Sequence, residues 1–211
     1  MKISGFLKQS LIDYPGKIAA VVFTQGCNFQ CGYCHNPQLV LPHLFIENSE
    51  YNPSNIFRYL KSRKNWLDGV VITGGEPTIH KDLPEFLKKI KAMGYSIKLD
   101  TNGSNPYMLK QIITNKLVDY IAMDIKNIPE KNLYEEIIGI QMTTKIIENL
   151  QLSIQIINNS SIEREFRTTF IPKIHNKNTI ELIKKLVGKN ICYKVNEFRE
   201  GETIEKELHT N

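Results

Sequence analysis

The 211-residue chain carries 27 basic and 22 acidic side chains, a formal charge of +5, with 41% hydrophobic and 23% charged residues. This suits one globular core rather than two, and the apolar runs stop well short of the ~20 residues of a membrane span. The start, Met1-Lys2-Ile3-Ser4-Gly5, lacks an apolar signal core, so residence in the cytoplasm is expected. Lysines sit beside acids, as at Lys81-Asp82 and Glu205-Lys206-Glu207, with no basic run interleaved with aromatics. Neither a nucleic acid nor a membrane is expected as a partner.

Strand-like and helix-like patterns alternate from residue 18 onward. A strand over 18–25 leads into a cysteine-rich loop, 26–37. A helix over 55–66 carries Ile56, Leu60 and Trp66, and a strand follows at 69–73. The segment 81–93 places Leu83, Phe86, Leu87, Ile90 and Met93 on one helical stripe, with Gly94 as its stop. After a strand at 95–100, Asn105-Pro106 reads as an N-cap with proline at the first helical position. Strands at 120–125, 165–171 and 192–198 alternate with helices at 143–157 and 179–187, and a polar tail spans about 199–211. No repeat or linker interrupts the pattern, so residues 1–211 are expected to form a single domain.

The expected fold class is α/β, a partial (β/α)6 barrel of parallel strands with helices outside. Six units fall short of the eight in a full barrel of ~250 residues; a doubly wound open sheet is the alternative. In either, chemistry gathers at the carboxyl ends of the strands, and the unusual sequences fall there: 26–37, Gly74-Gly75-Glu76-Pro77, Asp100-Thr101-Asn102-Gly103 and Asp124-Ile125-Lys126.

Three of the four cysteines, Cys27, Cys31 and Cys34, lie within eight residues. Such crowding points to metal or redox chemistry rather than a disulfide framework. The C-x3-C-x2-C spacing lets three thiolates converge on one centre. A cubane [4Fe–4S] cluster held by three of them keeps one iron open to a substrate or cofactor. A zinc site completed by His35 is the alternative, but adjacent Cys34 and His35 aim poorly at one ion. Cys192 stands alone and is expected to be a small core hydrophobe.

With an aromatic, Tyr33, before the last cysteine, this loop resembles the signature of the radical S-adenosylmethionine (SAM) superfamily. The words Leu11-Ile12-Asp13-Tyr14-Pro15-Gly16-Lys17, Phe23-Thr24-Gln25-Gly26-Cys27 and Cys34-His35-Asn36-Pro37 resemble the activating proteins of anaerobic ribonucleoside-triphosphate reductase. The resemblance implies a partial (β/α)6 barrel, with Cys27, Cys31 and Cys34 on a [4Fe–4S] cluster whose open iron chelates SAM. It further implies reductive cleavage of SAM to a 5′-deoxyadenosyl radical, which abstracts hydrogen from a glycine of a large glycyl radical enzyme. A one-electron donor such as flavodoxin or ferredoxin is implied as a second partner.

By the same resemblance Tyr33, Gly74, Gly75, Glu76 and Pro77 belong to the cofactor site, and Asp100, Thr101, Asn102, Asp124 and Lys126 contact SAM. Each word has a plainer reading: a strand-to-helix turn for 74–77, an Asx turn for 100–103, a solvated charged turn for 124–126. Strand alternation puts Arg167, Thr169 and Ile171 inward and Phe166 and Phe170 outward. Arg167 then needs an anion, either the SAM carboxylate or an internal acid such as Asp124. Asp100 and Asp124 are expected at the ends of adjacent strands, ~4.8 Å apart. Protonation, Lys126 or a bound monovalent cation would relieve their repulsion. The competing functions are a radical SAM enzyme acting on a small molecule or another peptide, and a non-catalytic metal or electron-transfer protein.

Overall fold

The computed structural model describes residues 1–45, 51–189, 191–199 and 201–204. Most of the expected polar tail, residue 200 and 205–211, lies outside the described residues. Seven strands lie side by side in chain order. They are β1 (Ile3–Ser10), β2 (Ala19–Thr24), β3 (Gly69–Gly74), β4 (Ser96–Thr101), β5 (Tyr120–Asp124), β6 (Glu163–Phe170) and β7 (Tyr193–Glu197). Strands β2 to β7 run parallel, and β1 adds antiparallel to β2. Strictly sequential order means that every crossover steps the same way. Right-handed crossovers then put the helices on one face, and the sheet curls into an open partial barrel. A doubly wound sheet would reverse at a switch point, and this sheet does not.

The helices are α1 (Pro37–Val40), α2 (Pro53–Ser62), α3 (Leu83–Ala92), α4 (Pro106–Thr114), α5 (Lys131–Ile138), α6 (Thr144–Asn158) and α7 (Lys177–Val187). The α4 start forms as its sequence suggests: Pro106 opens the helix and the Asn105 side chain accepts from the Met108 N–H at 3.1 Å. Gly94 ends α3 at φ +85°, a conformation that L side chains avoid.

Strand alternation builds two different interiors. Outward residues such as Val22, Ile72, Leu99, Ile121 and Phe166 are fully buried against α3, α4, α6 and α7 side chains, among them Leu87, Ile112, Ile157 and Ile183. Each contributes about 1.5–3 kcal/mol by leaving water. The inward face has a small apolar plug of Tyr14, Ala19, Val21, Val71, Tyr120 and Ala122. Other inward positions on β4 to β7 are charged: Lys98, Asp100, Asp124, Glu165, Arg167 and Lys194.

Several expectations change. The edge strand β1 was not expected, because Ile3–Ser10 mixes Gly5, Lys8 and Gln9 among its apolar residues and is only partly buried. Helix α5 was also not expected: at eight residues it has little periodicity to display, yet Tyr134, Ile137 and Ile138 are buried. Helix α2 stops at Ser62, so Trp66 leaves the expected stripe and is 73% exposed. Ile171 lies beyond β6 and packs into the outer core with Phe166 rather than facing inward. Cys192 is exposed, not a core residue, since it precedes the open edge strand β7.

Candidate functional site

The loop after β2 is held by backbone bonds that do not use its thiols. Gly26 N–H donates to the Leu39 carbonyl (2.7 Å) and Gln30 N–H to the Ile138 carbonyl (2.8 Å), while Glu76 N–H donates to the Gly26 carbonyl (2.8 Å). Phe29 is buried with its ring edge-on to Tyr134, centroids 6.4 Å apart. So anchored, Cys27, Cys31, Cys34 and the buried Tyr33 line one cavity of about 360 Å³ at the carboxyl ends of the strands. Burial, with Glu76 nearby, pushes the Cys27 thiol up to about 12, and burial pushes Cys31 up to about 11. Both remain thiols until a metal replaces the proton.

Among the described residues no three of His, Cys, Asp and Glu are grouped to ligate one ion. A cubane puts each thiolate on a different iron, and three thiols lining one cavity are a donor set of the kind such a group takes. His35 Nε2 donates to the Arg199 carbonyl (2.7 Å) and its ring stacks on Phe198.

The loops after β3 and β4 are tied together by one buried carboxylate. Glu76 accepts from Thr78 N–H (3.0 Å), Thr101 Oγ1 (2.8 Å) and Asn102 N–H (2.7 Å). Burial raises its pKa while these donors pull it back. Asn102 Nδ2 donates to Asn28 Oδ1 (3.0 Å), and Ser104 N–H closes an Asx turn on Asn102 Oδ1 (2.9 Å). Thus the Asx-turn reading of 100–103 holds, and the turn also faces the cavity. Gly75 and Glu76 line it, whereas Gly74 and Pro77 do not. The glycines serve the backbone: a Cβ on Gly75 would lie 2.0 Å from the Gly26 carbonyl oxygen, and one on Gly74 2.4 Å from the Thr24 nitrogen.

A charged network forms the other wall. Arg167 does point inward, and its Nε donates to Asp124 Oδ1 at 2.9 Å while Nη2 stands 3.7 Å from Asp100. Lys126 Nζ reaches Asp124 Oδ2 (2.9 Å) and lies 5.5 Å from the centroid of the Tyr33 ring. The buried Lys98 bonds Asp100 (2.6 Å), and below it Glu165 takes Lys194 and Tyr120. Burial alone would raise the Asp124 carboxyl, but Arg167 and Lys126 outweigh it and hold it well below the usual range. Asp100 and Asp124 are not side by side: Asp100 pairs with Ala122, and Asp124 with Arg167. With Lys98, Arg167 and Lys126 already on the two carboxylates, the repulsion that would call for a monovalent cation is relieved.

The radical SAM superfamily profile matches residues 21–186 of the chain. The chain belongs to the radical SAM superfamily. It is 35% identical, over 98% of its length and 83% of the relative's, to a Methanocaldococcus jannaschii protein that bears the name of a glycyl-radical enzyme activating enzyme. It is 27% identical to the pyruvate formate-lyase-activating enzyme of Clostridium pasteurianum, over 98% of this chain and 92% of that one. In fold it is similar to SuiB of Streptococcus suis, with a TM-score of 0.68 at 16% identity. That match covers 88% of this chain but only 40% of SuiB, a protein whose structure is also known bound to S-adenosylmethionine. Membership of the radical SAM superfamily implies a [4Fe–4S] cluster and SAM. Among the described residues, no helix is long and apolar enough to cross a membrane.

Sequence reasoning missed several residues in and behind this radical SAM cavity. Lys98 and Glu165 lie behind its charged wall and share alternating faces with Asp100 and Arg167, so period-two spacing could have found them. Glu197 and Arg199 line the cavity from the end of β7, and no motif marks them. Gly75→Ala is expected to force the cysteine loop off Leu39 and Gly26, at a cost of at least ~1–3 kcal/mol. The expected readout is a lower urea midpoint together with less iron per chain after anaerobic reconstitution; wild-type values for both would remove the close-packing account.

Proposed function

We propose that this radical SAM enzyme is an activating enzyme for a glycyl radical enzyme, with anaerobic ribonucleoside-triphosphate reductase as the preferred partner and a flavodoxin or ferredoxin as electron donor. The observation that carries the chemistry is the meeting, in one cavity, of three clustered thiols and a charged wall in which Lys126 and Arg167 stand beside Asp100 and Asp124. The similarity to named activating enzymes over nearly the whole chain supports the substrate class.

Cys27, Cys31 and Cys34 would hold the cluster, with the SAM site spanning Tyr33, Gly75, Glu76, Asp100, Thr101, Asn102, Asp124, Lys126 and Arg167. When bound, the cluster and SAM supply one-electron reductive cleavage of a sulfonium C–S bond and, from it, hydrogen-atom abstraction. The protein's own part is to position and to neutralise. Lys126 and Arg167 line the cavity against Asp124 and Asp100, with Lys98 holding Asp100 from behind. The guanidinium and ammonium are the groups on this wall that suit an anion such as an amino-acid carboxylate. Gly74 and Pro77 shape the turn from outside the cavity.

The test is anaerobic mixing of the reconstituted enzyme, SAM and reductant with candidate glycyl radical enzymes, read by electron paramagnetic resonance. A glycyl radical doublet on the reductase is expected. SAM cleavage without any protein radical, but with deuterium incorporated from a labelled small molecule, would instead select the small-molecule reading.

A further inference from the structure

The Lys126 peptide lies just beyond the reach of the sheet. Strand pairing between β5 and β6 ends at Asp124 with Arg167, followed by one last ladder bond from Ile125 N–H to the Arg167 carbonyl at 2.8 Å. The next N–H and C=O, those of Lys126, have no strand partner, and unpaired backbone groups in a protein interior are costly. Two side chains from other elements satisfy them. Tyr134 Oη, from α5, accepts from the Lys126 N–H at 3.2 Å. His175 Nε2, from the segment after β6, lies 2.9 Å from the Lys126 carbonyl. The tautomer is fixed by the other ring nitrogen: His175 Nδ1 accepts from the Ile171 N–H at 3.1 Å, so the ring proton is on Nε2 and is donated to Lys126.

We propose that Tyr134 and His175 are positioning residues that clamp the Lys126 peptide from its two sides and so aim the Lys126 ammonium into the cavity between Asp124 and the Tyr33 ring. Both clamping side chains are buried, Tyr134 at 0% and His175 at 3% exposure. Burial lowers the His175 pKa, which keeps the ring in the neutral form the clamp requires. Tyr134 does a second thing: its ring abuts Phe29 of the cysteine loop. One residue therefore registers Lys126 against the cysteine loop, and the other registers it against the segment following β6. Neither side chain lines the cavity itself, so their effect runs through Lys126. The inference rests on the reading that Lys126 contacts SAM.

The test uses cluster-loaded protein and SAM affinity measured anaerobically by equilibrium dialysis, with iron content and urea midpoint as companions. His175→Asn can still accept from Ile171 but is too short to donate to Lys126; His175→Gln restores a donor near the Nε2 position. Tyr134→Phe removes a single oxygen. Losing one such bond is expected to weaken SAM binding about 3–10-fold in His175→Asn and in Tyr134→Phe, with His175→Gln close to wild type and iron content equal in all three. A purely structural role predicts lowered urea midpoints in both histidine variants with unchanged SAM affinity, and that result overturns the clamp. So does a His175→Gln variant as weak as His175→Asn. Lys126→Met separates the two readings. If it weakens SAM binding while the clamp variants do not, the clamp alone fails. If it binds SAM like wild type, the assignment of Lys126 fails and the clamp with it. Should the histidine variants not fold, Tyr134→Phe decides.

Discussion

Alanine in place of Cys27, Cys31 or Cys34 is expected to abolish cluster retention and SAM cleavage, and Cys192→Ala to leave both intact. The three loop thiols line one cavity, while Cys192 is exposed and absent from its walls. With only four cysteines in the chain, the loss of one ligand cannot be made good by a neighbour. The loop itself should survive each substitution, since its backbone bonds to Leu39, Ile138 and Glu76 do not involve sulfur. The checks are iron and sulfide per chain after anaerobic reconstitution and 5′-deoxyadenosine released under dithionite. A full cluster in Cys31→Ala would sink the assignment, and loss of the cluster in Cys192→Ala would mean that a fourth thiolate takes part.

The second large effect is expected at Arg167. Its guanidinium lies against Asp124, Asp100 and Glu165. Arg167→Met leaves these carboxylates sharing fewer cations. Breaking a buried pair from one side costs ~3–5 kcal/mol, and the partial exposure of Asp124 places this case at the low end. Unfolding should therefore move to clearly lower urea. If Arg167 also meets the SAM carboxylate, affinity for SAM falls in the same variant. The two roles separate in Arg167→Met/Asp124→Asn, which removes the orphaned charge. That double variant is expected to regain most of the stability and none of the SAM affinity. Recovery of both would reduce Arg167 to a structural ion pair with Asp124, the other reading its sequence position allowed.

Strands β2 to β6 were legible because their β-branched and apolar residues are buried on at least one face, and a buried parallel strand has to look that way. The cysteine loop was legible because thiol spacing is itself the chemistry. Other parts depend on partners far along the chain. Ile3–Ser10 becomes a strand only because β2 offers it a free edge. Lys98 and Glu165 carry charges that a half-buried strand would turn to solvent, and only the curling of the sheet makes their face an interior. Tyr134 and His175 carry no motif, since each acquires its role from a peptide bond that chain folding brings beside it. Gly74 and Gly75 were legible as a turn, while their close packing on the Thr24 and Gly26 backbones depends on the register between distant segments. Asp100 and Asp124 were rightly placed at strand ends, and only the register shows them two steps out of line.

The apolar plug inside the barrel has a consequence for traffic. Tyr14 and Tyr120 meet edge to face at 5.9 Å and, with Ala19, Val21, Val71 and Ala122, stop the amino-terminal end of the barrel. The plug gives the barrel a floor at that end, and the cavity lies on the other side of it, among the carboxyl ends of the strands. A molecule seated against Arg167 and Asp100 therefore cannot be threaded through the barrel; it exchanges with solvent from the side of the cysteine loop and the strand ends, where a second large molecule would also have to dock.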